Sequence, residues 1–169
     1  MRLDDIPTNE LTNFNIINYV DRLRIPHFSG CYMIDELPRG RKIRRNECAI
    51  VNFNKSKERG SHWVAIYRKG RDKIYFDSFG YDLPPQISNF MKTRKEIADN
   101  EPSIKRNSVK VQADNTSECG KLCLHVLYKL TKTKDTYNQI LYNLKKRYDK
   151  ARDNERRGRR KRKYDNVDE

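Results

Sequence analysis

The segment HWVAIYRKGRDKIYFDS contains two β-rich runs joined by a short polar turn, and this feature constrains the fold more than any other. Runs rich in Val, Ile, Tyr and Phe on either side of a glycine-containing turn predict a β-hairpin. A third such run, CAIVNF, precedes the hairpin, and a fourth, NSVKVQ, follows it at residues 107–112. We therefore expect a small sheet built around this hairpin.

Helical patterns lie on both sides of these strands. The predicted helices cover residues 8–26, 83–100 and 118–132, and a last helix begins near Asp135. In the first helix, which Pro26 ends, Phe14, Ile17 and Val20 fall on one apolar face. Helices and strands in this order predict an α+β fold.

The apolar periodicity ends near Tyr148, where charged residues take over. We therefore predict one folded domain at residues 1–148 and a basic, disordered arm at residues 149–169. Residues 145–163 hold twelve Lys and Arg against three Asp and Glu, and the whole chain has a formal net charge of +14. So large an excess predicts a polyanionic partner, most simply DNA or RNA.

The basic run within the arm supplies the candidate DNA contacts. They are Arg156, Arg157, Arg159, Arg160, Lys161, Arg162 and Lys163. Contacts between such side chains and phosphates carry no sequence preference and weaken with salt. A nuclear import signal is an alternative interpretation of the same run, and the two interpretations are compatible.

The cysteines are best interpreted as reduced thiols. The first residues, MRLDDIPTNELTNF, do not form a signal peptide, and no apolar window is long enough to span a bilayer. We therefore expect a reducing compartment, in which Cys31, Cys48, Cys119 and Cys123 are catalytic or buried rather than paired. Their spacing does not match a zinc site, so no metal is predicted.

His62 and Asp77 are symmetric about the midpoint between Lys69 and Gly70. A tight turn centred there would place the two side chains opposite each other, with Cβ atoms roughly 4.5–5.5 Å apart. The Asp77 carboxylate would then accept the proton on Nδ1 of His62, which leaves Nε2 as the base. The alternative is a solvated surface pair, because a base and its orienting acid need a third group to be catalytic.

Cys119 is the candidate for this third group. It opens the predicted helix at residues 118–132, where the exposed N–H groups and the helix dipole favour a thiolate. Gly120 directly after it permits a close approach of the backbone. Cys123, one turn later, falls within the apolar stripe and is predicted to be a buried structural thiol.

The order and spacing of these motifs resemble the adenovirus protease (adenain) family. The matching residues are Gly-x-His-Trp at 60–63, Asp-Ser-Phe-Gly at 77–80, Gln112, and Ser-x-Cys-Gly at 117–120. The resemblance extends from about Pro26 to Tyr128, and proteases of Polinton or Maverick transposons and related viruses look most similar. It implies a papain-like α+β fold, in which a small mixed central sheet is flanked by helices and the catalytic order is permuted to His, Asp, Cys.

The resemblance also implies a role for each residue of the site. Cys119 would be the nucleophile, His62 its ion-pair partner and Asp77 the acid that orients the imidazole. Gln112 would donate its side-chain amide to the oxyanion, together with the backbone N–H of Cys119. Trp63 would pack beneath the site.

The function implied by the resemblance is that of a cysteine endopeptidase that cleaves capsid or core precursors during particle maturation. It implies a monomer in the host nucleus and virion, or in the nucleus for a transposon, with no metal, small-molecule cofactor or membrane. DNA and a short basic peptide would be the activators. In the family that peptide forms a disulfide with a cysteine between the acid and the glutamine, but residues 78–111 contain no cysteine.

Two alternatives stay open at this point. One is a protease that processes or removes ubiquitin-like modifiers, since related enzymes of that class also carry aspartate as the acid. The other is a DNA-binding protein whose peptidase core is a relic. All four catalytic positions hold competent residues, which favours an active enzyme.

Overall fold

The computed structural model describes residues 2–55 and 62–165. Gly60 of the Gly-x-His-Trp motif and the last four residues of the predicted arm lie outside this part of the chain. The helices are a 3₁₀ turn (Leu3–Asp5), α1 (Asn13–Leu23), α2 (Pro85–Met91), α3 (Arg94–Ala98), α4 (Cys119–Lys132) and α5 (Tyr137–Asp165). The strands are β1 (Phe28–Met33), β2 (Asn46–Asn52), β3 (Trp63–Lys69), β4 (Asp72–Phe76) and β5 (Lys105–Arg106).

The strands of the described residues form one mixed sheet in the order β1-β2-β3-β4-β5. β1 is parallel to β2, β3 is antiparallel to both β2 and β4, and β5 is parallel to β4. The expected α+β fold with a small mixed sheet is therefore confirmed. The central strands β2 and β3 are almost continuously buried because both faces of the sheet are covered.

Side chains of the central strands alternate between two cores. Ile50 and Ala65 belong to the core that includes residues of α1, α4 and α5. Val51 and Val64, their neighbours along the strands, belong to the core that includes residues of α2. The two-residue period of an extended chain explains this alternation.

The hairpin turn lies one position later than the sequence predicts. Lys69 pairs with Asp72, so the turn has two residues and begins with Gly70, whose φ of 61° favours glycine. Moving the centre of a turn by one residue changes the register by two, so every side chain keeps its predicted face. His62 and Asp77 are therefore diagonal neighbours, each just beyond the end of its strand, rather than direct cross-strand partners.

The strand predicted at residues 107–112 is replaced by the shorter β5, which precedes it. Backbone pairing between β4 and β5 ends at Arg106. The reason is that the next residue, Asn107, binds the backbone of Asp77 with its side chain instead of its own backbone.

α1 buries a different face from the predicted one. Thr12 caps the helix by accepting a hydrogen bond from the backbone N–H of Asn15. The buried residues are Ile16, Val20 and Leu23. Phe14 is 73% exposed, so of the predicted face only Val20 faces the core. These positions, i, i+4 and i+7, form one face of a helix, and this face packs into the core.

The helix predicted at residues 83–100 consists of two helices, α2 and α3. α2 has Pro85 in its first turn, as the sequence predicts. A second helix begins after Thr93 because the hydroxyl of that residue accepts the backbone N–H of Glu96 and caps α3.

α5 continues to Asp165, whereas the sequence predicts a disordered arm from residue 149. Its buried residues all lie near its beginning: Tyr137, Ile140 and Leu144. Beyond them the helix agrees with the high helix propensity of Arg, Lys, Glu and Ala, and with i,i+4 pairs such as Lys145–Asp149 at 2.7 Å. No helix in residues 2–55 or 62–165 has both the length and the apolar character needed to cross a bilayer.

Candidate active site

The side chains of His62 and Asp77 meet in a buried hydrogen bond. Nε2 of His62 lies 2.8 Å from Oδ1 of Asp77. Asp77 has no exposed surface, and the same carboxylate oxygen accepts the backbone N–H of Phe79 at 2.8 Å. The structure therefore brings the predicted pair together, and its burial excludes a solvated surface pair.

The two ring nitrogens have the opposite arrangement to the predicted one. The sequence predicts that Nδ1 of His62 faces Asp77, but Nε2 does so. Because His62 approaches diagonally from beyond the end of β3, the ring nitrogen farther from the backbone reaches the carboxylate. Nδ1 is buried and has no hydrogen-bond partner among the residues that the structure describes. Nδ1 is therefore the ring nitrogen that is available to interact with the thiol of Cys119.

Two neighbours keep His62 basic despite its burial. Burial acts to lower the pKa of His62, but the hydrogen bond to Asp77 and the nearby sulfur of Cys119 outweigh it and raise the pKa to about 9. The sulfur is close enough to act on the ring, although its geometry falls short of a hydrogen bond to Nδ1. At neutral pH the imidazole is therefore a cation between a carboxylate and the Cys119 side chain.

Two phenylalanine rings hold the imidazole of His62 in place. The Phe79 ring stacks on it with centroids 4.9 Å apart, and the Phe53 ring meets it edge-on at 5.0 Å. Contacts on two sides of the ring restrict its rotation and exclude water from it.

Cys119 is the first residue of α4, as the sequence predicts. Its thiol therefore lies at the positive end of the helix dipole. The backbone packs closely at this point, since a Cβ on Gly120 would lie 3.3 Å from atoms of both Leu11 and Trp63. Trp63 is buried beneath the start of α4 and donates its Nε1–H to the carbonyl of Leu11 at 2.9 Å.

The remaining cysteines fill the interior. Cys123 is fully buried, its sulfur lies 3.3 Å from the carbonyl of Trp63, and burial raises its pKa well above the ordinary value. Cys48 is buried and Cys31 is partly buried, and both are free thiols. The prediction of a structural thiol at Cys123 agrees with this position. In residues 2–55 and 62–165, no three side chains of His, Cys, Asp or Glu are grouped so that they could hold a metal ion.

Gln112 is buried, and its amide is held at both ends. Ser78 donates its hydroxyl to Oε1 of Gln112 at 2.5 Å, and Nε2 donates to the carbonyl of Thr116 at 2.9 Å. Ser78 directly follows Asp77, and Thr116 belongs to the loop that leads into Cys119. The Gln112 amide therefore connects the acid side of the site with the nucleophile side.

Sequence reasoning missed several groups around the site. Arg147 of α5 binds the carboxylate of Glu118, the residue before Cys119, with 2.8 Å between Nη2 and Oε1. Asn107 binds the backbone of Asp77, and Ser78 orients Gln112. Their residue types give no signal by themselves, because Arg, Asn and Ser occur on most surfaces and only the tertiary structure brings these to the site.

The predicted DNA contacts lie on the distal part of α5. All seven are exposed: Arg156, Arg157, Arg159, Arg160, Lys161, Arg162 and Lys163. At a rise of 1.5 Å per residue, the first of them lies roughly 18 Å along the helix from Leu144, the last buried residue. The structure therefore does not bring them to His62 and Cys119.

Comparison with solved structures identifies the fold. The crystal structure of the ASFV pS273R protease matches with a TM-score of 0.52 and 20% identity, over 84% of this chain and 67% of that chain. This chain has a protease fold. The Se-Met structure of the ASFV pS273R protease gives a TM-score of 0.46 and 19% identity, over 84% and 68% of the two chains. No protein-family model and no curated protein matches the sequence, so the resemblance to adenain stays a prediction.

Proposed function

We propose that this chain is a cysteine endopeptidase whose nucleophile is Cys119. The observation that carries this proposal is the buried hydrogen bond of 2.8 Å between His62 and Asp77. This bond uses Nε2, so the other ring nitrogen, Nδ1, is available to Cys119. A buried, oriented imidazole cation beside a thiol at a helix N-terminus is what a cysteine nucleophile requires. The name of the similar solved structure, a protease, agrees with this proposal.

In the proposed reaction the Cys119 thiolate attacks the carbonyl carbon of the scissile peptide bond. The Nδ1–H of His62 protonates the leaving amine, so that the C–N bond breaks and a thioester remains on Cys119. A water molecule that loses a proton to the same Nδ1 then hydrolyses the thioester and regenerates the free enzyme. Asp77 accepts the Nε2–H throughout and keeps the ring in one orientation.

Gln112 stabilises the negative charge that develops on the substrate oxygen. One of its two amide protons is used by the carbonyl of Thr116, and the other is available to the oxyanion. The backbone N–H of Cys119 is the second donor, because the first N–H groups of a helix have no acceptor within the helix.

The proposed substrates are precursors of the structural proteins of a virus or virus-like transposon, processed on DNA in the nucleus or the virion. The motif resemblance supports this choice of substrate. The exposed cationic part of α5 supports DNA as the activator, bound through phosphates without sequence preference. Processing of ubiquitin-like modifiers is a second candidate, favoured by the aspartate at position 77.

The first experiment measures hydrolysis of a fluorogenic Leu-x-Gly-Gly peptide by the full chain, with and without duplex DNA. We expect hydrolysis that is absent in Cys119→Ala, rises with DNA and falls with added salt. Hydrolysis by Cys119→Ala would contradict the proposed nucleophile. Hydrolysis that is indifferent to DNA would favour modifier processing instead.

A matched pair of variants tests the role of α5. In one, Arg156, Arg157, Arg159 and Arg160 are replaced by Gln, and in the other by Lys, which keeps the charge. We expect the slope of log K against log salt for duplex DNA to fall by up to about 4 in the Gln variant, since each phosphate contact contributes roughly 0.9. Equal slopes in the two variants would contradict an electrostatic contact between α5 and DNA.

A further inference from the structure

We propose that Asn107 is the positioning residue that fixes Asp77 and Ser78, and through them both the imidazole of His62 and the oxyanion amide of Gln112. This inference rests on the proposed peptidase function. Asn107 belongs to none of the motifs that carry the family resemblance.

The side chain of Asn107 binds both the backbone N–H and the backbone carbonyl of Asp77. Its Oδ1 accepts the Asp77 N–H at 3.0 Å, and its Nδ2 donates to the Asp77 carbonyl at 2.5 Å. A neighbouring strand would make these same two bonds, but the pairing of β4 with β5 ends one residue earlier, at Arg106. The side chain of Asn107 therefore takes the place of a strand and holds Asp77 beyond the end of the ladder.

Further contacts fix the orientation of the Asn107 amide. Nδ2 gives its second proton to the carbonyl of Val109 at 3.1 Å, and Oδ1 lies 3.2 Å from the hydroxyl of Tyr137. Both amide protons thus have carbonyl acceptors and the amide oxygen faces two donors, which excludes the flipped amide. Asn107 is 2% exposed, so water does not compete for these bonds.

This backbone clamp acts on two catalytic groups at once. Asp77 orients His62 through Oδ1, and the next residue, Ser78, orients Gln112 through its hydroxyl. The two residues are joined directly at the start of the turn in which the Gly80 N–H binds the Asp77 carbonyl at 2.9 Å, so a rotation of this dipeptide displaces both groups. The other carboxylate oxygen of Asp77, Oδ2, has no hydrogen-bond partner in the described part of the chain. Because Oδ2 makes no such bond, its position is restrained through the backbone of Asp77.

The test is Asn107→Ala in the full chain, with two readouts. One is kcat and KM for the fluorogenic peptide, and the other is the pKa of the His62 imidazole, measured by NMR. In the wild type we expect this pKa to lie well above the ordinary imidazole value, at about 9, because the Asp77 carboxylate is held against the ring. In the variant we expect the pKa of His62 to fall towards its ordinary value and kcat to fall about 100-fold, with KM little changed.

Two buried tyrosines provide a matched pair if Asn107→Ala does not fold. Tyr137 shares its hydroxyl proton between Asn107 and the carbonyl of Tyr75, whereas the hydroxyl of Tyr75 has no partner among the described residues. We expect Tyr137→Phe to lower both kcat and the pKa of His62, and Tyr75→Phe to leave both unchanged. Equal behaviour of the two variants would overturn the proposal.

The outcomes separate this inference from the function on which it rests. If the wild-type chain does not hydrolyse the peptide, or if Cys119→Ala hydrolyses it equally, the peptidase proposal itself fails. If the wild type hydrolyses the peptide and a folded Asn107→Ala variant matches it in both readouts, only the role of Asn107 is overturned.

Discussion

Two histidines of this protein lie near the same helix, α4, and have opposite protonation behaviour. His62 lies beside the start of α4, and His125 lies further along it, at a cavity of 230 Å³ between α4 and α5. Burial acts to lower the pKa of both imidazoles. Nevertheless the pKa of His62 is raised to about 9, and that of His125 is lowered to about 4.

The neighbours of each ring explain the difference. After burial itself, Lys129 and Arg147 lower the pKa of His125 most, Asp135 opposes them weakly and Lys121 adds to them. His62 instead has a buried carboxylate at hydrogen-bond distance. A buried histidine is thus not by itself a candidate for catalysis, and the fixed carboxylate decides which of the two can serve as a base and acid.

The largest expected effect comes from removing that carboxylate, which makes the surroundings of His62 resemble those of His125. In Asp77→Asn the amide no longer balances the imidazolium, so we expect kcat/KM for the fluorogenic peptide to fall by roughly 10²–10⁴-fold. The pKa of His62, measured by NMR, should fall from its value of about 9. An unchanged His62 pKa in this variant would contradict our account of the pair.

The stability of the protein in alkali should depend on the same pair. The pKa of His62 in the folded protein, about 9, lies above that of an unfolded chain, near 6.5. The stabilisation of the folded protein by protonated His62 is therefore complete below pH 6.5 and is lost as the pH rises towards 9. We expect the free energy of unfolding to fall by on the order of 3 kcal/mol across this window.

Urea unfolding at several pH values measures this loss. Asp77→Asn serves as the control, since it should have no decrease that is due to His62. A wild-type curve that runs parallel to that of Asp77→Asn between pH 6.5 and 9 would rule out the linkage.

His125 should lower the free energy of unfolding in acid rather than in alkali, and by a smaller amount. Its pKa of about 4 in the folded protein lies below the unfolded value, so the unfolded chain takes up the proton first as the pH falls from 6.5 to 4. Because the ring is only partly buried, we expect a loss of about 1 kcal/mol after solvent screening. His125→Gln should remove this loss.

Placing a carboxylate beside His125 sharpens the comparison further. In Lys129→Glu the new acid lies four residues along α4 from His125, and we expect NMR to find a higher pKa of His125. Lys129→Gln removes the positive charge without adding a negative one and should have a smaller effect. Equal shifts in the two variants would mean that loss of the lysine charge, rather than a carboxylate, determines the pKa.

Much of the site could be predicted from local sequence. The start of α4 at Cys119 follows from the apolar run after it, and the pairing of His62 with Asp77 follows from the two strands of one hairpin. The turn is displaced by one residue from the predicted centre, but a register change of two residues preserves the face, so the prediction of the pair was robust to this error.

Contacts between distant segments could not be predicted in the same way. Asn107 reaches Asp77 across thirty residues, and Tyr137 reaches Asn107 across another thirty. The exposed Phe14 of α1 is a related case, because apolar spacing allowed two faces and only packing on the sheet selected the one with Ile16.

The sequence by itself determined which chemical groups are present, their order along the chain, the hairpin that His62 and Asp77 flank, and the helix that Cys119 begins. These features depend on local periodicity and turn chemistry, which neighbouring residues encode. Only the tertiary structure decided that Nε2 of His62, not Nδ1, faces Asp77, and that the side chain of Asn107 replaces a strand beside Asp77. Both outcomes depend on angles and distances between segments far apart in the chain, which no local pattern specifies.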